Sequence, residues 1–359
     1  MSSSSSVQET GQQGRHGPAQ DGGARHDEGK GGKERSAAMK ARLDRLDGFQ
    51  QEHKPLAVAV AVFRKFSEDQ STGLASQIAF WAFFSIFPLF LVLVTLLGFF
   101  LPTSTQDDVL SNVSQMFPLI DPSSVGSLGG SWWALIVGIL TALWSGTGVV
   151  RTIQTAFNSV WEVPMVERPK LVEQVGRSVL VLGTLGLGLV VSTLISGLVT
   201  GTANGLHIGW AGSLLGYVIT IALDVGLFIA AFKILTDRDV TVRDVLPGAL
   251  LSGIVFWVLQ QLSSFIISSH LQSTGSTYGT FATVITILWW FYLQGMVSML
   301  GAQLNVVLKE HLYPRGLVGV PDTEADKRTY DAYAKEKTFH DNQVVDSQFT
   351  ADTPEQSRS

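Results

Sequence analysis

The sequence predicts an all-α polytopic membrane protein with six transmembrane helices and both termini cytoplasmic, preceded by an interfacial elbow helix. Three observations carry that prediction. Only 15% of the 359 residues are charged, against the roughly 25% that a soluble domain needs to cover its surface. Mean hydropathy is +0.26. The 25 Lys and Arg residues fall only in alternate segments between long apolar windows.

Residues 1–54 form a polar N-terminal tail that reads as disordered. Its serine run at 2–6 and its Gly/Lys/Glu-rich tract at 22–35 cannot bury enough apolar area to offset chain entropy. It has no short apolar core followed by a small-residue cleavage site, so it does not read as a secretory signal. The elbow follows at 55–68. There Val58, Val62 and Phe66 recur at helical spacing beside Arg64 and Lys65, which suits a helix lying on the cytoplasmic leaflet.

A span crosses about 30 Å of hydrocarbon with roughly 20 apolar residues. Six windows qualify, at 78–101, 131–150, 178–201, 210–232, 245–268 and 279–308, within a membrane domain at 55–312. Eleven cations precede the first window, four lie between the second and third, three between the fourth and fifth, and seven follow the sixth. The connections at 102–130, 202–209 and 269–278 have none, and this alternation places both ends of the chain in the cytoplasm. The remaining polar stretch, 313–359, reads as a mobile cytoplasmic C-terminal tail.

Inside the spans one residue stands out. Asp224 is the only Asp, Glu, Lys or Arg between Arg177 and Lys233. It lies 14 residues after Trp210, about 21 Å below the outer interface at 1.5 Å per residue. A carboxylate at that depth costs at least about 2–3 kcal/mol unless it is protonated, hydrogen-bonded or wetted. Two readings stay open: a proton-linked or headgroup-binding group, or a protonated side chain that joins helices. Gly212, Gly216, Thr220 and Asp224 share one face of the fourth span, and Ser192 and Ser196 share a face of the third. These small-residue faces suit close helix packing or a polar seam leading to Asp224. Gln294, Ser298, Gln303 and Asn305 extend the polar lining along the sixth span, and together these faces suggest a hydrated path open to the cytoplasm. Pro88 removes a helical hydrogen bond in the first span and bends it.

Enzyme signatures are missing. There are no cysteines, and the seven histidines show no metal-ligand spacing. Neither a Walker A sequence nor a GxSxG elbow is present. The sequence therefore assigns no catalytic residue, no metal and no cofactor. No run of cations inside the membrane domain could line a groove for phosphates, so nucleic acid is not an expected partner. Membrane lipids are, and the basic N-terminal tail suits anionic headgroups.

Three motifs resemble the YihY/BrkB family of bacterial membrane proteins, some of which carry an old ribonuclease BN label. They are LASQIAFWAFFSIFPL at 74–89; LWSG at 143–146 with AFNSVW at 156–161 and Arg168-Pro169; and Tyr278-Gly279 followed by LGAQLN at 300–305. VTVRDVLPGA at 240–249 resembles the family's lead into its fifth span. The chain departs from the family where Gln303 stands for a frequent Glu, and where Val258 and Gln261 replace charged residues. The resemblance implies six spans in a bacterial plasma (inner) membrane, with Gly301, Tyr278 and Gly279 as structural positions. It implies no settled activity. The function expected is transporter or flippase-like handling of an amphiphilic or lipid-like envelope compound. The alternative is a non-catalytic scaffold or an envelope-integrity or virulence-associated factor without transport, and an intramembrane enzyme ranks last.

Overall fold

The computed structural model describes residues 39, 45, 47–100, 131–170, 173–176, 178–181, 183, 209–273, 279–317 and 323–349. Among the described residues there is no strand. The long elements are helices α1 (Lys54–Glu68), α2 (Ser71–Phe100), α3 (Trp132–Val160), α4 (Gly209–Ile234), α5 (Val242–Ser273), α6 (Gly279–Lys309) and α7 (Glu324–Glu336).

Among the described residues, five helices are long and apolar enough to cross a membrane: Ser71–Val92, Trp132–Val160, Leu214–Ile234, Val242–Leu262 and Val284–Lys309. They correspond to the first, second, fourth, fifth and sixth expected spans. The third, 178–201, lies outside the described residues except for 178–181 and 183, which are helical. The spans keep large apolar side chains on their outer surfaces, among them Leu140, Val218, Leu250 and Ile285. In water such a belt would be costly; against acyl chains it has no penalty.

Local chemistry sets the helix ends. The α1 helix opens on Pro55, where a missing N–H costs nothing. Ser131 caps α3 by accepting from Ala134 N at 3.4 Å. At the start of α5, Thr241 N donates to Asp244 Oδ2 at 2.8 Å, the reciprocal half of a capping box. The α3 helix ends in the double bond pattern of a Schellman turn, Val163 N to Asn158 O and Glu162 N to Ser159 O, and α6 ends with its longer bond, Leu312 N to Val307 O. That turn normally takes glycine, yet here Glu162 (φ 46°) and His311 (φ 53°) hold the left-handed position.

The α1 helix covers the segment where the sequence predicts an elbow. It buries Ala57, Ala61, Val62, Lys65 and Phe66 and packs on α6. The α6 helix is the hub, touching α1, α2, α3 and α5, while α4 packs on α5. The α5–α6 contact depends on Gly301, where an added Cβ would lie 2.8 Å from the Gly248 carbonyl and 3.0 Å from Phe232. The α2 helix continues through Pro88. Within the polar segment 313–359, which the sequence reads as a mobile tail, α7 forms and buries Ala325, Asp326, Thr329 and Glu336.

Candidate functional site

One end of the bundle gathers charges that the sequence places far apart. Lys65, on the last turn of α1, is fully buried. Its Nζ donates to Glu162 Oε1, and to Asp69 Oδ2 at 2.9 Å. Asp69 also accepts from Gln303 Nε2 at 2.7 Å, and the same amide reaches Ser71 Oγ at 3.0 Å. The Tyr333 ring from α7 lies 4.9 Å from the ammonium. One ammonium cannot balance two buried carboxylates. Burial, only partly offset by Lys65 and reinforced by Asp69, pushes the Glu162 carboxyl up to about 7. Burial opposes the charge on Lys65 as well, but Glu162 and Asp69 outweigh it and hold the ammonium protonated.

A second cluster pins α7 to α1. Arg315 is fully buried and forks onto Glu68, with Nη1 at 2.6 Å from Oε2 and Nη2 at 3.2 Å from Oε1. Its Nε donates to Asp326 Oδ1 at 2.8 Å. Arg64 joins from α1, 3.0 Å from Glu68 and 3.3 Å from Asp326. Asp326 accepts as well from Gly316 N and Thr323 Oγ1, while Thr323 caps α7. Burial works against the charge on Glu68 and on Asp326, yet these donors hold both carboxyls below their ordinary values. At the other end of α7, Glu336 accepts from Arg168 Nη2 at 2.6 Å and Ser159 Oγ at 2.8 Å.

Two cavities adjoin this charged end. The first, about 400 Å³, is polar and lined by Glu68, Asp69, Gln70 and Gln77 together with Tyr333 and Glu336 of α7. The second, about 510 Å³, lies between α2, α3 and the helical residues near 175–179. Its wall is Trp81, Leu143, Trp144, Val175 and Val179, with Arg151, Thr147, Thr152 and Thr155 supplying polarity. Gln77 stands in the wall of both. Glycine shapes the second cavity, because a Cβ on Gly148 would come within 2.7–2.8 Å of the Trp81 ring. Trp81 in turn stands edge-on to Trp144, with ring centroids 5.9 Å apart.

The residues singled out from sequence fall into separate places. Asp224 is buried on α4, and its Oδ2 has no hydrogen-bond partner among the described residues. Thr220 Oγ1 donates to the Gly216 carbonyl of its own helix at 3.0 Å. Gly212 lies on α4, and Ser192, Ser196 and Tyr278 lie outside the described residues. On α6, Ser298 Oγ donates to Gln294 O at 2.9 Å, and Gln294 Oε1 has no partner among the described residues. Gln303 ties α6 to the corner between α1 and α2, and Asn305 Oδ1 accepts from Gly248 N at 2.6 Å, joining α6 to α5. Gly279 opens α6. Apart from Gln303, the charged end is not among those residues. Its sequence signals are the Thr323-x-x-Asp326 cap and the stripe of Thr329, Tyr330 and Tyr333 on one face of α7. No group of three or more potential metal ligands occurs among the described residues.

The family model described as virulence factor BrkB matches residues 62–322. The putative ribonuclease-like protein YfkH of Bacillus subtilis is 27% identical over 265 residues, covering 69% of this chain and 93% of that protein. A UPF0761 membrane protein of Pseudoalteromonas translucida is 26% identical over 274 residues, covering 73% and 87% respectively. A third, from Stenotrophomonas maltophilia, is 25% identical over 334 residues, covering 84% of this chain and 75% of its own. No solved structure matches.

Proposed function

This chain belongs to the BrkB virulence-factor family of membrane proteins, and from that premise we propose that it takes up an amphiphilic envelope compound between its spans and passes it across the membrane, as a transporter or flippase does. The observation that carries this reading is the pair of cavities that share Gln77 in their walls. One is polar and the other is walled by tryptophan and aliphatic side chains, as an amphiphile requires. Buried polar atoms without protein partners support a wetted interior beyond them. Both amide atoms of Gln154 and Asp224 Oδ2 are examples among the described residues.

In this reading the chain sits in a bacterial plasma membrane with the charged end, α7 and both termini in the cytoplasm, following the cation distribution. Asp224 is a proton-linked or headgroup contact farther along the path. The basic N-terminal tail attracts anionic lipid headgroups. No catalysis is assigned, and the word ribonuclease in one relative's name brings no nuclease groups with it.

Reconstitution into liposomes with a panel of labelled lipids and lipid-linked precursors tests the proposal. The wild-type chain should move at least one of them between leaflets, and Asp224→Asn should slow that movement at least tenfold. If no amphiphile moves while the chain still retains envelope proteins as partners, it is a scaffold and the transport reading fails.

A further inference from the structure

The cavity between α2 and α3 also carries information about the headgroup it accepts. Among the described residues, Arg151 is its one charged lining residue and no carboxylate lines it. The Arg151 Nε donates to the neutral Gln174 Oε1 at 3.3 Å, and among the described residues the guanidinium pairs with no carboxylate. The arginines of the charged end are committed by contrast: the buried Arg315 to Glu68 and Asp326, and the half-buried Arg64 to the same two carboxylates and Arg168 to Glu336.

The neighbouring donors are equally uncommitted. Gln77 and Thr155 line the cavity and make no hydrogen bond among the described residues. Thr147 and Thr152 differ, because each gives its hydroxyl hydrogen to its own helix, to Leu143 O at 2.6 Å and Gly148 O at 2.8 Å. The free donors are therefore the Arg151 terminal nitrogens, the Gln77 amide and the Thr155 hydroxyl. That set matches an oxyanion and offers little to a quaternary ammonium. Trp144 stands seven residues before Arg151 on α3, about 10 Å along the axis, and with Trp81 continues the cavity as an apolar wall.

We propose that this cavity binds one anionic amphiphile, with a phosphate-type headgroup on Arg151, Gln77 and Thr155 and its alkyl chain along Trp81 and Trp144. The proposal rests on the amphiphile reading above and names the class of compound. The polar cavity that shares Gln77 has Glu68, Asp69 and Glu336 in its wall, and its lysine, Lys337, already lies 3.4 Å from Glu336, so the headgroup stays on the Arg151 side. Arginine suits the task because its planar fork binds two phosphate oxygens at once.

The test is native mass spectrometry of the purified full chain equilibrated with equal amounts of phosphatidic acid, phosphatidylcholine and diacylglycerol. The wild type should retain one lipid per chain, with phosphatidic acid favoured about tenfold over the other two. Arg151→Gln should abolish that preference, and Arg151→Lys should keep part of it. Gly148→Ala, which displaces Trp81, should weaken all three lipids alike. Millimolar inorganic phosphate should not displace the lipid; if it does, the site is for a free anion and the proposal fails. If the wild type retains one lipid without preference, the anionic class is overturned while the amphiphile reading survives. If it retains none, both fall.

Discussion

Lys65 and Glu162 are 97 positions apart in sequence, yet their side chains form a buried ion pair that joins the last turn of α1 to the turn after α3. Glu162 adopts a left-handed backbone there that glycine would accept at less cost, about 1–2 kcal/mol less per residue by the usual steric penalty. Its carboxylate is the reason for a glutamate at that position. Asp69, Gln303 and Tyr333 close around the pair, so four separate stretches of chain meet at one ammonium.

Breaking this pair from the lysine side should be severe. Lys65→Met leaves Glu162 and Asp69 buried with no cation between them, and a loss of about 3–5 kcal/mol is expected. Glu162→Gln should cost far less, because Asp69 still pairs with Lys65 at 2.9 Å. Denaturant unfolding of both variants in detergent checks the asymmetry, and equal losses would contradict it.

The same pair gives a pH dependence with a definite sign. The Glu162 carboxyl has an ordinary value of 4.5 when unfolded and about 7 when folded. Between those values the folded chain holds a proton that the unfolded chain has lost, so stability falls as pH rises from 4.5 to 7 and levels off above. Lys65, raised by Glu162 and Asp69, loses its contribution only above its ordinary 10.5. Glu68 and Asp326 have lowered values, so their contributions are lost only below 4.5 and 3.8. Melting temperatures at pH 5 and 7.5 should therefore differ in favour of pH 5, and Glu162→Gln should flatten the difference. An unchanged slope in that variant would assign the effect to another group.

Arg315 holds α7 in place through Glu68 and Asp326. Replacing it with alanine leaves Asp326 buried with fewer donors. Amide hydrogen exchange across Glu324–Glu336 should then quicken at least about tenfold, which corresponds to about 1.4 kcal/mol. Protection of α7 equal to that of the wild type would show that Tyr330 and Tyr333 suffice.

What could be read from the sequence divides along a physical line. Helix type and the described spans were legible because hydropathy over 20 residues is a local property, as Leu214–Ile234 shows. Asp224 was legible as a rare intramembrane carboxylate, and the structure does place it in a buried position. Gln303 was singled out too, as part of a path along the sixth span, and it bridges Asp69 and Ser71, a role that needs the tertiary structure to be seen. The charged end was not legible, because charges near span ends read as topology signals in solvent and nothing local links residue 65 to residue 162. The α7 helix was missed for a related reason: it is strongly polar, and its buried face is made of Asp326, Thr329 and Glu336 with Ala325 as its one apolar side chain.

Gly148 offers a steric test of the second cavity. An added methyl meets the Trp81 ring at 2.7–2.8 Å, so Gly148→Ala should destabilise by about 1–3 kcal/mol. Trp81→Leu should recover much of that loss in the double variant, as measured by a double-mutant cycle. Additive losses would mean that the ring does not lie against the glycine.

The central claim is that an amphiphile enters between α2 and α3, and a chain without cysteines allows a direct measurement. A benzophenone attached through Thr152→Cys, which lines the cavity, is compared with one attached through Leu250→Cys, exposed on the surface of α5. Both are irradiated in membranes containing a clickable alkyl phosphate. Cross-linking at position 152 should saturate and be competed by unlabelled alkyl phosphate, while position 250 should show only unsaturable contact with bulk lipid. Equal, uncompeted labelling at both positions would contradict a binding site between these helices.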